Sequence, residues 1–403
     1  MKICLEVKMK KQILGAMCVL AASTLFAMGG NDSGSAAAQT IAAAKNMSHD
    51  EIVAKAKEEA AAAKSSGTVF KAYGTSSRIA TAAKAFTELY GIDVETTNVK
   101  DSEIYTKLQA EISGKIDGAD VVLTQNGAVM KVQMVDTGNL INYVPASVAS
   151  NIDGADKVPL VQQYIDKLFI FNTVGSNVPA ITNVWQLTEP AMKGRVFFKS
   201  PETEKVNENF LIMLTNKTWS DKLAKAYKNL YGKDIQLGSS KNAGYKWIAE
   251  FLHNCSFGNS DTTIAEQISN VEASGKIGLF VLSKLRSKTV RTENLEVASY
   301  YADGKNTTVE PFAGFMYPLY AQIVKTTTMP YTAMLFVEHL VSSAGFAPWG
   351  KDIGAYSSNT GIPVNKGDQP LSYWKTRLVM DDPEYINEAY ADVFEFISKN
   401  LTK

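Results

Sequence analysis

From residue 48 onward the chain alternates between two hydrophobic rhythms. Ser48, His49, Asp50 and Glu51 stand at capping-box spacing and Glu51 faces Lys55 at i,i+4, which predicts a helix over 48–64 closed by Ser65-Ser66-Gly67. TVFKAYGT (68–75) reads as a strand. In SSRIATAAKAFTELYG, Ile79, Ala82, Ala83, Phe86, Leu89 and Tyr90 share one helical stripe that Gly91 stops. A second strand is predicted over 92–99. Asp101 is then expected to cap DSEIYTKLQAEISG, where Ile104, Leu108 and Ile112 recur every four residues, and ADVVLTQN (119–126) supplies a third strand. Such a βαβαβ order implies a parallel sheet with right-handed crossovers.

The pattern resumes after LINYVP. An apolar strand DKLFIFNT (166–173) precedes the strand GRVFFKSP (194–201), helical segments at 219–231, 240–253 and 261–273, and the buried strand KIGLFVLSKL (276–285). These make a second α/β unit over about residues 174–310. VEPFAGFMYPLYAQIV (309–324) reads as extended, Pro330 opens the apolar helix YTAMLFVEHLV, and no internal repeat stands out.

Parallel α/β sheets bind ligands beyond the carboxyl ends of their strands. Here those loops are YGTSSR (73–78) and TQN (124–126). Thr75, Ser76 and Ser77 offer hydroxyls and backbone N–H groups at a helix start, and Arg78 adds a bidentate cation, so the loop reads as an anion cradle. The plainer reading has Ser76 or Ser77 capping the helix and Arg78 solvated.

The N-terminus adds an address. MKKQILGAMCVLAASTLFA (9–27) has two lysines before an apolar run of signal-peptide length, too short to span a bilayer comfortably, so residues 1–29 are expected to be removed on export. Residues 30–65 then form a small, polar tether and the N-terminal helix. A lipid anchor enters only if position 28, here Met28, is Cys in the native gene or if Cys18 serves. Cys4 and Cys18 fall in this region, which leaves Cys255 alone in the mature part, a small partly buried residue with no catalytic signature around it.

Of 403 residues, 41 are Lys or Arg and 41 Asp or Glu. Residues 1–30 hold four lysines and one glutamate, so the chain without them carries 37 basic and 40 acidic side chains, near −3. With 45% hydrophobic residues and no long like-charge run, this composition excludes a nucleic-acid binder and a disordered chain.

Several stretches resemble the type 2 periplasmic solute-binding proteins of ABC importers, in the ferric-ion and thiamine-like branch. They are AKEEAAAAKSSGTVFKAYGTSSR, ADVVLTQNGAVMKVQMVDTGNLINY, KLFIFNT, VWQLTEPAMKGRVFFKSP and EPFAGFMYPLYAQIVKTTTMPYTAMLFVEHLVSSAGFAPWG. The resemblance implies an α/β fold of two lobes around a cleft, joined by two hinge crossings. Lobe one comprises 66–172 plus 312–403 and lobe two 173–311. It also implies a periplasmic protein that captures a small solute by lobe closure and delivers it to a membrane permease with its ATPase. Contact with the membrane would run through that permease.

The solute is read from the residues at the expected cleft. Iron-binding members carry adjacent tyrosines soon after a strand of the form G-L-V-N-x-Y-Y, whereas GLFVLSKLRS places Ser283, Lys284 and Leu285 there. A lysine at that place repels a ferric ion. Tyr300 and Tyr301, sixteen residues on, are expected to pack on a strand, and His49, His253 and His339 lack ligand spacing. Arg78, Lys199, Lys284 and Arg286, with Thr75, Ser76, Ser77, Gln125, Asn126, Asn172 and Ser200, point instead to a small organic anion bearing phosphate, phosphonate or carboxylate. No cofactor or resident metal is expected. Phe312, Phe315 and Tyr317 are expected to pack at the hinge. Ferric transport remains the alternative ligand reading, and a sensor or surface interaction protein the alternative role. No P-loop, nucleophile elbow, metal helix or dinucleotide fingerprint supports an enzyme.

Overall fold

The computed structural model describes residues 34–175, 180–300 and 308–401. The expected signal peptide, with Cys4, Cys18 and Met28, lies outside the described residues, as does Tyr301.

Residues 36–43 form a short helix, α1 (Ala36–Ala43), whose Ala37 and Ile41 are buried, so the polar stretch expected to be only a tether is packed in part. Helix α2 (His49–Ser65) carries the expected capping box of Ser48 and Glu51. Then come β1 (Phe70–Gly74), α3 (Arg78–Tyr90), β2 (Val94–Asn98), α4 (Asp101–Gly114) and β3 (Val121–Thr124). The alternation read from the sequence is therefore present, and β1 pairs in parallel with both β2 and β3. Gly91 ends α3 in the left-handed region, yet Leu89 is 58% exposed, because the stripe is narrower than its periodicity suggested.

A one-turn helix α5 (Gly127–Val129) and β4 (Leu140–Ile141) lead to β5 (Val161–Asn172). The second unit holds β6 (Val196–Lys199), α6 (Lys205–Met213), α7 (Lys217–Tyr231), α8 (Ala243–Asn254), β7 (Cys255–Gly258), α9 (Asp261–Ile268), β8 (Ile277–Val281) and β9 (Leu295–Val297). The chain returns through β10 (Gly314–Val324) to α10 (Pro330–Leu340), α11 (Ser343–Gly350), β11 (Ala355–Ser357), α12 (Leu371–Lys375), β12 (Val379–Met380) and α13 (Pro383–Leu401).

Among the described residues, all twelve strands join one sheet whose main path is β2-β1-β3-β10-β5-β8-β6-β7. Each half has three parallel strands and then one antiparallel strand, β10 for the first half and β5 for the second. These two cross between the halves side by side, from Gly314 opposite Leu168 to Tyr320 opposite Val161. At Gly314, φ is 151° and a Cβ would lie 2.1 Å from the Lys167 carbonyl oxygen, so only glycine admits the close approach.

Each half has its own aromatic core. Phe86 meets Phe70's partner Phe336 edge-on in the first, while Phe312 sits among Phe169, Phe210, Trp219 and Trp247 in the second. Phe312 and Phe315 are thus core residues, the latter stacked on Phe210 at 4.6 Å. Burying each such ring stabilises by roughly 1.5–3 kcal/mol. Helix α2 belongs to the first half: Glu59 accepts from the Tyr331 and Thr332 amides at 3.2 and 2.8 Å, capping α10, which Pro330 opens. The C-terminal helix does not follow the expected boundary. It packs on α6 and α8 of the second half as well as on α5, through contacts such as Tyr385 to Thr215 (2.8 Å) and Phe396 to Tyr245.

Candidate solute cleft

The carboxyl ends of β1, β3, β6 and β8 carry the loops of interest. At the end of β1, Ser77 precedes α3 but its side chain makes no capping bond, and the Ser76 Oγ accepts from the Arg78 amide at 3.3 Å. Arg78 is not solvated: its Nη2 donates to the Asp352 carboxylate, as does Nη1 of Arg286. Asp352 follows α11, a helix that packs on α3, whereas Arg286 ends the 3₁₀ turn Leu282–Arg286 after β8. One carboxylate therefore joins arginines from the two halves of the sheet.

Lys284, in the same turn, is half-buried, and its ammonium has no hydrogen-bond or ion-pair partner among the described residues. Burial lowers its pKa, Arg286, Arg78 and Lys167 lower it further, and Asp261 opposes them. Lys284 thus lies near three other cations.

Lys167 is the residue that sequence reasoning missed. It is fully buried in β5, where its Nζ donates to Asn207 Oδ1 at 3.0 Å and pairs with Asp261 at 3.2 Å. Asn172 was expected in the cleft, but its amide donates to the Ile268 and Asn270 carbonyls at 2.7 and 2.8 Å. The strand direction explains both. Because β5 runs antiparallel to β8, Lys167 lies opposite Val281 at the cleft end while the later residues run past Ile277 to the opposite edge. A Lys-Asp pair inside an otherwise apolar run, Asp166-Lys167 in DKLFIFNT, was the available signal.

Lys199 is engaged by Glu204, and Asn207 Nδ2 donates to the Lys199 carbonyl at 2.7 Å. Burial pushes the Glu204 carboxyl up, but Lys167 and Lys199 together hold it below the ordinary value. Ser200 serves its own turn, accepting from the Glu202 amide at 3.3 Å.

Across the cleft Asp101 does not cap α4; the position before the helix is Lys100. Its carboxylate instead lies at the end of β3, where Thr124 Oγ1 approaches Oδ1 (3.5 Å) and Oδ2 is buried without a hydrogen-bond partner among the described residues. Burial first, then Glu204, pushes it up to about 7. Asn126 accepts from the Val129 amide at 3.5 Å, capping α5. The side chains of Thr75 and Gln125 make no hydrogen bond among the described residues. Tyr317 is buried among Glu204, Asp261, Asp166 and Asp101, and burial raises its phenol well above the usual value.

Together Arg78, Lys167, Lys199, Lys284 and Arg286 meet Asp101, Glu204, Asp261 and Asp352. Most cations are already matched by an internal carboxylate, and among the described residues Lys284, Thr75 and Gln125 have no side-chain partner. Two surface cavities lie elsewhere in the second half, about 350 Å³ beside Lys193 and His253 and about 100 Å³ beside Asn172 and Arg195. Among the described residues no three His, Cys, Asp or Glu side chains come together to hold a metal. Tyr300 is not on a strand, since β9 ends at Val297 and Ser299 turns the chain at φ 55°. It stacks on Trp374 and its hydroxyl donates to the Gly367 carbonyl.

Solved structures share this architecture. A ferric binding protein from Campylobacter jejuni superposes with a TM-score of 0.61 at 13% identity, covering 82% of this chain and 99% of that one. The fold is that of the type 2 periplasmic binding proteins. AfuA from Actinobacillus pleuropneumoniae, with fructose-6-phosphate bound, gives 0.60 at 16% identity over 83% and 98%. The Trichodesmium protein IdiA (FutA), with iron and citrate, gives 0.59 at 15% over 83% and 100%. No family model matches the chain, and no curated protein does.

Proposed function

We propose that the protein is the exported, periplasmic substrate-binding component of an ABC importer, binding a small organic anion between its lobes and handing it to a permease without chemical turnover. The observation that carries the reading is the convergence of Arg78 from the first half with Lys284 and Arg286 from the second at the strand ends. A ligand touching both halves stabilises the closed arrangement by contacts that exist only there. Lobe one is taken as 66–172 plus most of 312–403, and lobe two as 173–311 together with the surface that α13 covers.

Of the similar structures, several are named for ferric binding or hold iron, one of these with citrate, and AfuA holds a sugar phosphate. Lys284 at the place of the tyrosine pair, beside Arg286 and Arg78, favours the anion. A thermal-shift panel on refolded, ligand-free protein against ferric citrate, inorganic phosphate, phosphonates, sugar phosphates and dicarboxylates tests it, because bound ligand raises apparent stability by mass action. A shift by ferric ion alone, with a tyrosinate-to-iron colour band, refutes the anion reading. Arg78→Ala should weaken binding of the responding anion by about 1.5–3 kcal/mol, the worth of a charged hydrogen bond. Unchanged affinity places Arg78 outside the site.

A further inference from the structure

We infer that Asp352 is a built-in competitor for the solute's anionic group, and that the Arg78–Asp352–Arg286 triad latches the two halves together while the cleft is empty of solute. The inference rests on the reading of the cleft as an anion site. Its first support is geometry: a single oxygen, Asp352 Oδ2, accepts from Arg78 Nη2 and Arg286 Nη1. The carboxylate side chain is 5% exposed, against 19% for Arg78 and 49% for Arg286, so it sits inside the pair of cations rather than at their rim.

The second support is that the carboxylate is held in place from behind. The Asp352 amide donates to the Trp349 carbonyl at 3.1 Å. Two residues on, Gly354 has φ 80°, and a Cβ there would lie 2.3 Å from Asp166 Oδ1 and 2.8 Å from Leu282 Cβ. Its amide donates to Asp368 at 2.6 Å. The loop is thus pressed against β5 and against the turn that carries Lys284 and Arg286.

A carboxylate fixed between two arginines sets a threshold. A monocarboxylate solute entering this site exchanges like for like and gains little. A doubly charged tetrahedral head brings three acceptor oxygens, enough to engage both arginines and the open Lys284 ammonium at once. Specificity then arises from a repulsive element as well as from attraction. The cleft therefore takes phosphate or phosphonate heads in preference to monocarboxylates, and Asp352 is the residue that excludes the latter.

The test compares wild type with Asp352→Asn, which keeps the shape and removes the charge. Small-angle scattering of the solute-free proteins should give a larger radius of gyration for the variant, and equal radii overturn the latch. Isothermal titration with methylphosphonate and with acetate should show methylphosphonate alone binding wild type. In the variant both probes should gain about tenfold or more, bringing acetate into range. Arg286→Ala, at a half-exposed side chain, should open the solute-free protein likewise but lower methylphosphonate affinity; it supplies the test if Asp352→Asn does not fold. Methylphosphonate binding both proteins with no gain in the variant leaves the anion cleft standing and overturns the role of Asp352. Binding of neither probe to either protein overturns the anion reading and this inference with it.

Discussion

Replacing Lys167 by methionine separates a buried charge from the carboxylates that depend on it. Lys167 is 1% exposed and pairs with Asp261, whose side chain is 12% exposed, at 3.2 Å. Its charge also helps hold the Glu204 carboxyl below its ordinary value. Removing one partner of a buried ion pair costs about 3–5 kcal/mol, because the other charge stays desolvated. Methionine recovers about 1 kcal/mol by filling the same space with apolar atoms beside Phe315. The expected loss of unfolding free energy at pH 7 is therefore about 2–4 kcal/mol, a large share of the roughly 5–15 kcal/mol of an ordinary domain. Urea titration followed by tryptophan fluorescence measures it. The pH dependence has a definite sign. The folded-state pKa of Glu204 is depressed below 4.5, so its contribution is present above that value and lost as pH falls through the lowered one. The gap between wild type and variant should thus be widest above about pH 5 and shrink on acidification. Adding Asp261→Asn should recover part of it. A loss below about 1 kcal/mol, or one that ignores pH, refutes the assignment of Lys167 as the charge that organises this end of the hinge.

Asp381 is half-buried, and its loss of solvent raises its carboxyl from 3.8 to about 7. Wild-type stability should fall as pH rises across that window, and Asp381→Asn should melt higher than wild type above pH 7 while the two converge near pH 4; parallel melting curves at every pH count against it. At Gly244 a Cβ would lie 2.0 Å from the Leu214 carbonyl oxygen, so Gly244→Ala should shift α8 and cost about 1–3 kcal/mol in urea unfolding, and an unchanged midpoint contradicts the contact. Burial pushes the Cys255 thiol well up, so the native protein should resist a disulfide reagent at pH 8 that labels it once unfolded; fast native labelling contradicts that.

The elements of the first half were legible because each carried its own signal: the Ser48/Glu51 box, the Gly91 stop and the alternation of β1, α3, β2, α4 and β3. What was not legible came from direction and partnership. Asp101 looks like a cap by composition, yet Lys100 holds the capping position and the Asp101 carboxylate is buried at the end of β3 beside Thr124. Asn172 stands at a strand end by sequence, but β5 enters the second half antiparallel, so its end is the wrong one. Helix α13 is amphipathic from sequence alone, with nothing in it to say that α6 and α8 would receive its apolar face.

The cleft residues show the same limit in charge. Arg78, Lys199, Lys284 and Arg286 stand out in sequence as cations after strands, and the structure does place them at those strand ends. Their partners were invisible, because Glu204 and Asp352 are ordinary acidic residues in polar stretches until the fold sets them against Lys199 and the two arginines. That difference alters the physics of binding. Free cations would attract any anion, and affinity would follow charge alone. Cations already held by internal carboxylates respond only to an anion that offers more than the carboxylate it replaces. Under the proposed anion reading, the selectivity of this cleft lies as much in its acids as in its bases.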